Sequence, residues 1–254
     1  MLAFRYKRPS QLCWALAINI LALAVLKNSA LATDAQPRPI YKVVKTISLK
    51  SFFKMRSDWS VSAYQANTAD DLGSDPAKLC FVRPKDKHEN CTKITSGMPN
   101  DPTFLFDYQA VTDLKVVTLK PGVSAILFHA QFSGGGSGTK EQISLWTYDP
   151  RSDWFWPALI VSPTGIGQYK VFNSGPLSGY VIVGDPEWQT GEPHFGAHQF
   201  HMTVYRLTGL FYLEVLSYLA KQKYSVSDDD NSYPSDAIDG ELPQIRTLLK
   251  SIGQ

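Results

Sequence analysis

Residues 124–161 read SAILFHAQF (124–132), SGGGSGTK (133–140), QISLWTY (142–148), DPRSD (149–153) and WFWPALIV (154–161). Three runs rich in aliphatic, β-branched and aromatic residues are separated by two turn-forming clusters. Runs this short, bounded by Gly, Pro, Asp and Ser, read as consecutive strands of a meander rather than as helices. Working outward, the same pattern recurs. Upstream it covers 41–49, 59–65, 78–82, 103–108 and 113–119; downstream it covers 168–172, 179–183, 199–207 and 211–218. KPGV (120–123), SPTG (162–165), NSGP (173–176) and Thr208-Gly209 punctuate them. The pattern predicts an all-β protein of antiparallel meanders, forming propeller-like blades or a β-sandwich.

The C-terminus departs from this pattern. Leu242, Ile245, Leu248, Leu249 and Ile252 fall on one helical face, and Gly253 follows as a stop. Asp239 reads as the N-cap and Pro243 as a first-turn residue. A short amphipathic helix needs a surface to pack on, so it is expected to cover the sheet or an edge.

Segments 123–163 and 178–218 can be laid over one another as an internal repeat. Ala125-Ile-Leu-Phe matches Tyr180-Val-Ile-Val, Tyr148 falls on Tyr205, and Trp154-Phe-Trp matches Phe211-Tyr-Leu. A weaker third copy surrounds 60–64 and 77–82. Units of roughly 45–57 residues with four strands each resemble propeller blades in architecture. The loops 133–140 and 185–198 occupy equivalent places in the two copies. They are expected on one rim, where repeat proteins commonly bind partners.

The chain has 254 residues, 44% of them hydrophobic and 19% charged, enough for a real core. Residues 1–32 read as a secretory signal: Arg5, Lys7 and Arg8, an apolar run over 12–26, then Ala30-Leu31-Ala32 as a small-x-small cleavage site. Residues 33–40 read as a loose leader, and 41–254 as a single β-rich domain. Cleavage near Ala32 removes four of the 25 basic residues and none of the 23 acidic ones, so the formal charge falls from +2 to −2. That balance argues against a nucleic-acid partner. No second long apolar run follows, so no membrane span is expected in the mature chain. Cys80 and Cys91 then remain as a pair suited to a structural disulfide in an oxidising compartment, periplasmic or extracellular.

Candidate chemistry is sparse. Glu192, His194, His198 and His201 are residue types that zinc or copper prefers, but Pro193 and Gly196 argue against a helix that would align them. Gly134, Gly135, Gly136, Ser137, Trp188, Glu192 and His194 form the candidate binding loops. SGGGSGTK lacks the Gly-Lys-Ser/Thr order of a phosphate loop. The acidic stretch Asp228-Asp-Asp-Asn-Ser with Asp236, Asp239 and Glu241 lacks the glycine of a calcium loop and reads as a solvated linker. Trp146, Trp154, Trp156 and Trp188 are candidates for stacking sugars, against a default reading as core. No Ser-centred catalytic motif is present. The leading expectation is an exported, non-catalytic binding or interaction protein whose partner is a protein, peptide or envelope component. A metal-binding protein or metal-dependent hydrolase at 192–201 and a carbohydrate-binding module are the alternatives.

Overall fold

The computed structural model describes residues 40–66, 75–98, 101–132, 139–164, 166–193, 196–225 and 236–254. The segments expected to be a signal (1–32) and nearly all of the expected leader (33–40) lie outside them. So do Gly134, Gly135, Gly136, Ser137, His194 and the acidic run at 228–232.

The strands follow the chain into successive antiparallel meanders. β1 (Tyr41–Ser48), β2 (Ser60–Ala66), β3 (Lys78–Arg83) and β4 (His88–Lys93) make sheet 1. A two-stranded hairpin, β5 (Thr95–Met98) and β6 (Asp101–Asp107), leads out of it. β7 (Ala110–Lys120), β8 (Val123–Phe132), β9 (Lys140–Asp149) and β10 (Trp154–Val161) make sheet 2. β11 (Gln168–Phe172), β12 (Tyr180–Glu187), β13 (Ala197–Thr208) and β14 (Phe211–Ser225) make sheet 3. The helix α1 (Ala237–Ser251) closes the chain. Within each large sheet the strand order is the order of the sequence.

Alternation of side chains then decides the layering. Val61, Ala63, Leu79 and Phe81 of sheet 1 pack against Ile126, Phe128, Ala130, Trp146 and Tyr148 of sheet 2. The opposite face of sheet 2, with Ala125, Leu127, Leu145 and Leu159, packs on Val181, Val183, Leu207 and Tyr212 of sheet 3. The far face of sheet 3, with Ile182, Phe200, Met202 and Val204, receives Ala237, Ile238, Ile245 and Leu249 of α1. Sheet 2 is therefore covered on both sides. This is why Ala125 to Ala130 and Ile143 to Tyr148 are buried without a break, where a half-exposed strand would alternate. β7 lies beside β1, β2 and β11, so first strands neighbour one another. The segments aligned in the sequence as copies supply β8–β10 and β12–β14, the second to fourth strands of sheets 2 and 3.

Two sequence expectations need correction. α1 begins earlier than predicted: Asp236 is the N-cap, its Oδ1 accepting from the Asp239 amide at 2.9 Å, and Gln168 Oε1 accepts from the Ala237 and Ile238 amides. Pro243 consequently sits inside the helix, beyond its first turn, and Ile252 at the C-cap is exposed. Glu241 is not part of a solvated linker; it is buried beneath the helix. β4 escaped prediction because HENCTK has no apolar face.

Cys80 and Cys91 stand opposite one another in the β3–β4 register and are bonded. A bridge across 11 residues of sequence should stabilise the fold by about 2–3 kcal/mol, largely by restricting the unfolded chain. Reduction with dithiothreitol is expected to lower the urea midpoint and to cut the extrapolated unfolding free energy by about that amount. An unmoved midpoint would remove the bridge from the account of stability.

Candidate functional site

The orientation of the three sheets is set by hydrogen bonds between their turns. Asp153, in the β9–β10 turn, accepts from Ser57 Oγ at 2.7 Å, Trp59 Nε1 at 3.2 Å, Arg83 Nη1 at 3.1 Å and Tyr148 Oη at 2.6 Å. Ser57 and Trp59 belong to the β1–β2 connection, and Arg83 ends β3. Thr147 Oγ1 near the end of β9 donates to the Leu210 carbonyl in the β13–β14 turn at 2.8 Å. The Gly179 amide, before β12, donates to the Leu119 carbonyl at the end of β7 at 3.0 Å. First-to-second and third-to-fourth connections of all three sheets therefore gather at one end.

The second-to-third connections leave from the other end. They span 67–77, 133–139 and 188–196, and parts of all three lie outside the described residues. A contact near their roots joins sheets 2 and 3 again: the Glu141 amide donates to the Pro163 carbonyl at 3.0 Å and extends the β9–β10 ladder, and Thr164 beyond it donates to Asp185 Oδ1 through both its amide and its hydroxyl.

The β12–β13 connection is the best described of these loops. The Glu192 carboxylate accepts from Lys223 Nζ on β14, from the Gln189 amide at 3.0 Å and from His198 Nδ1 at 3.0 Å. Those donors, the lysine ammonium first, hold its carboxyl down at about 2. The His198 imidazole is fully buried, and its ring centre lies 5.3 Å from that of Trp188. Glu192 is thus spent on fastening its loop to β14.

Of the described candidate ligands, Glu192 and His198 meet at 3.0 Å, whereas His201 does not join them. His198 shares its face of β13 with Phe200 and Met202, while His201 projects from the opposite face and is exposed. There His201 Nε2 lies 2.7 Å from Ser217 Oγ and Nδ1 lies 3.9 Å from Glu187 Oε2. Alternation along β13 separates the two histidines. Among the described residues, the one trio of potential ligands within mutual reach is Cys80, Glu89 and Cys91, and its sulfurs are joined in the disulfide.

The tryptophans divide. Trp146 is buried and donates to Ser144 Oγ at 2.9 Å. Trp154 packs edge-on against Trp59 at 5.3 Å. Trp146 therefore belongs to the core, and Trp154 is partly buried at its margin. Trp156 is 42% exposed beside the β9–β10 turn, whereas Trp188 lies at the far end of the sheets, so they do not form one platform.

Sequence reasoning missed three groupings: the donors around Asp153, the buried Glu241, and the Ser217–His201–Glu187 row. Each is assembled from side chains that are far apart in the chain or on different strands. No spacing rule detects them. No protein-family model matches this chain, and no curated protein or solved structure matches it.

Proposed function

We propose that the chain is an exported binding protein: an open array of three blade-like meanders that engages a protein, peptide or envelope component through the end carrying 67–77, 133–139 and 188–196. One observation carries this reading. The three meanders are aligned in the same sense, so their equivalent connections share an end, while the opposite end is locked by Asp153, Thr147 and Gly179. Loops held on a rigid scaffold are where recognition usually resides. The paired cysteines suit an oxidising compartment. Among the described residues no helix is long and apolar enough to cross a membrane.

The test uses a photo-crosslinking amino acid at exposed Gln189 and, separately, at exposed Arg151 in the β9–β10 turn. The protein is expressed with its signal and irradiated in the cell envelope. Discrete adducts are expected from the Gln189 probe and none from Arg151. Adducts at Arg151 alone, or at neither site, would overturn the assignment.

A further inference from the structure

We propose that Ser217, His201 and Glu187 form a proton relay that makes Ser217 a nucleophile toward small acyl esters. The three residues stand on adjacent strands, β14, β13 and β12, and project from one face of sheet 3. In the register, Ser217 is opposite Thr203, and His201 is opposite Asp185. Nε2 of His201 is 2.7 Å from the Ser217 hydroxyl, and Nδ1 faces the Glu187 carboxylate at 3.9 Å. This is the order a general base requires. One imidazole nitrogen takes the hydroxyl proton, and the carboxylate stabilises the positive charge that appears on the ring. The carboxylate is beyond hydrogen-bond distance in the resting geometry, as is common before substrate binds. It comes closer once the ring is charged.

Access and a seat for substrate are both present. The His201 and Glu187 side chains are each 48% exposed. His201 also lines an open cleft of about 300 Å³ between the end of β10 and sheet 3. One wall of it is apolar, with Ile160, Val161 and Val183, and suits a short acyl chain. The other carries the hydroxyls of Thr203 and Tyr205 beside the Asp185 carboxylate, which accepts from Thr164; Ser217 adjoins this lining through His201 rather than forming part of it. The volume admits an acetyl or propionyl ester of a small alcohol.

The reaction closes without a cofactor. Ser217 Oγ bonds to the acyl carbon as its proton passes to His201 Nε2. The ester C–O bond breaks, and the leaving oxygen takes that proton. Water then gives a proton to His201 and its oxygen to the acyl carbon. The carboxylic acid leaves, and the proton returns to Ser217. Ser217 and His201 are the catalytic residues; Glu187 is a positioning residue acting through His201.

A fluorophosphonate probe and p-nitrophenyl acetate test this on the full mature chain. Covalent labelling is expected at Ser217, identified by peptide mass spectrometry. Ser217→Ala and His201→Ala should each lose hydrolysis by about 100-fold, the scale of general-base assistance. Glu187→Gln should lower kcat roughly ten-fold with KM unchanged. Circular dichroism and the melting temperature check that the variants fold; because all three side chains sit at an exposed face, unchanged values are expected. Labelling elsewhere, hydrolysis by Ser217→Ala at the wild-type rate, or equal labelling of His201→Ala would overturn the proposal. The activity does not rest on the binding reading: Ser217→Ala leaves the Gln189 crosslinking pattern unaltered.

Discussion

Asp153→Ala is expected to destabilise the protein by about 3 kcal/mol and to lower its melting temperature by roughly 6–12 °C. The reason is the number of donors that one carboxylate satisfies. Truncation takes a shared acceptor from the Arg83 guanidinium, the Trp59 indole N–H and the hydroxyls of Ser57 and Tyr148 at the junction of sheets 1 and 2. The Asp153 and Arg83 side chains are only 14% and 26% exposed, so water replaces little of what is lost. Taking the carboxylate away from a largely buried guanidinium is the costly part. Beside this network, Phe81 stacks on Phe155 with ring centres 4.9 Å apart, so loosening it also exposes core.

Asp153 also sits at a φ of 52°, where Asp and Asn are tolerated better than most residues. Asp153→Asn keeps that backbone and one acceptor, and should recover part of the loss. Its pH behaviour follows from the carboxyl. Burial pushes the group up, but the hydrogen bonds from Tyr148, Ser57, Trp59 and Arg83 outweigh it, and it titrates below its ordinary 3.8. Its stabilisation is therefore complete above that pH and fades as pH falls through the lower folded value. Urea midpoints across the acid range should show this decline in the wild type, and a weaker one in Asp153→Asn. A midpoint for Asp153→Ala within error of wild type would refute the account.

Gly240→Ala should destabilise the docking of α1 by about 2 kcal/mol, although the same change in a free helix stabilises by up to ~1 kcal/mol. A Cβ on Gly240 would stand 2.6 Å from Tyr224 Cε1 and 2.7 Å from its Oη. Tyr224 cannot swing aside, because it is buried and its hydroxyl donates to Glu241 Oε1 at 2.7 Å. Tyr218 donates to the other oxygen at 2.7 Å. The helix is thus pinned to β14 through one carboxylate and two phenols, and the close approach that makes this possible needs a glycine. Hydrogen exchange of the α1 amides should quicken more than that of sheet 2, since the helix opens first. Combining Gly240→Ala with Tyr224→Ala should cost less than the two separate losses, because the first clash vanishes with the ring. A more stable Gly240→Ala would show that the helix is not seated as described.

The meander pattern was legible along most of the chain because it is local. Strand length, turn residues and side-chain alternation all act within a few residues, and 124–132, 142–148 and 154–161 announce them without ambiguity. The terminal helix was legible for the same reason, through Ile245, Leu248 and Leu249. The pairing of Cys80 with Cys91 was expected from their being the two cysteines outside the apolar run at 12–26. What the local pattern left undecided is how the meanders pack: blades and sandwiches use the same alternating strands. Tertiary structure alone decided that sheet 2 is covered on both faces and that α1 caps sheet 3. It alone placed Asp153 among donors from 57, 59, 83 and 148, and turned Glu241 from an apparent linker residue into a buried acceptor. It also separated His198 from His201, and set Ser217 and Glu187 on either side of the latter. The physical reason is the same in each case. Desolvation, hydrogen-bond satisfaction and close packing act between residues distant in sequence, so their outcome is settled by which faces meet.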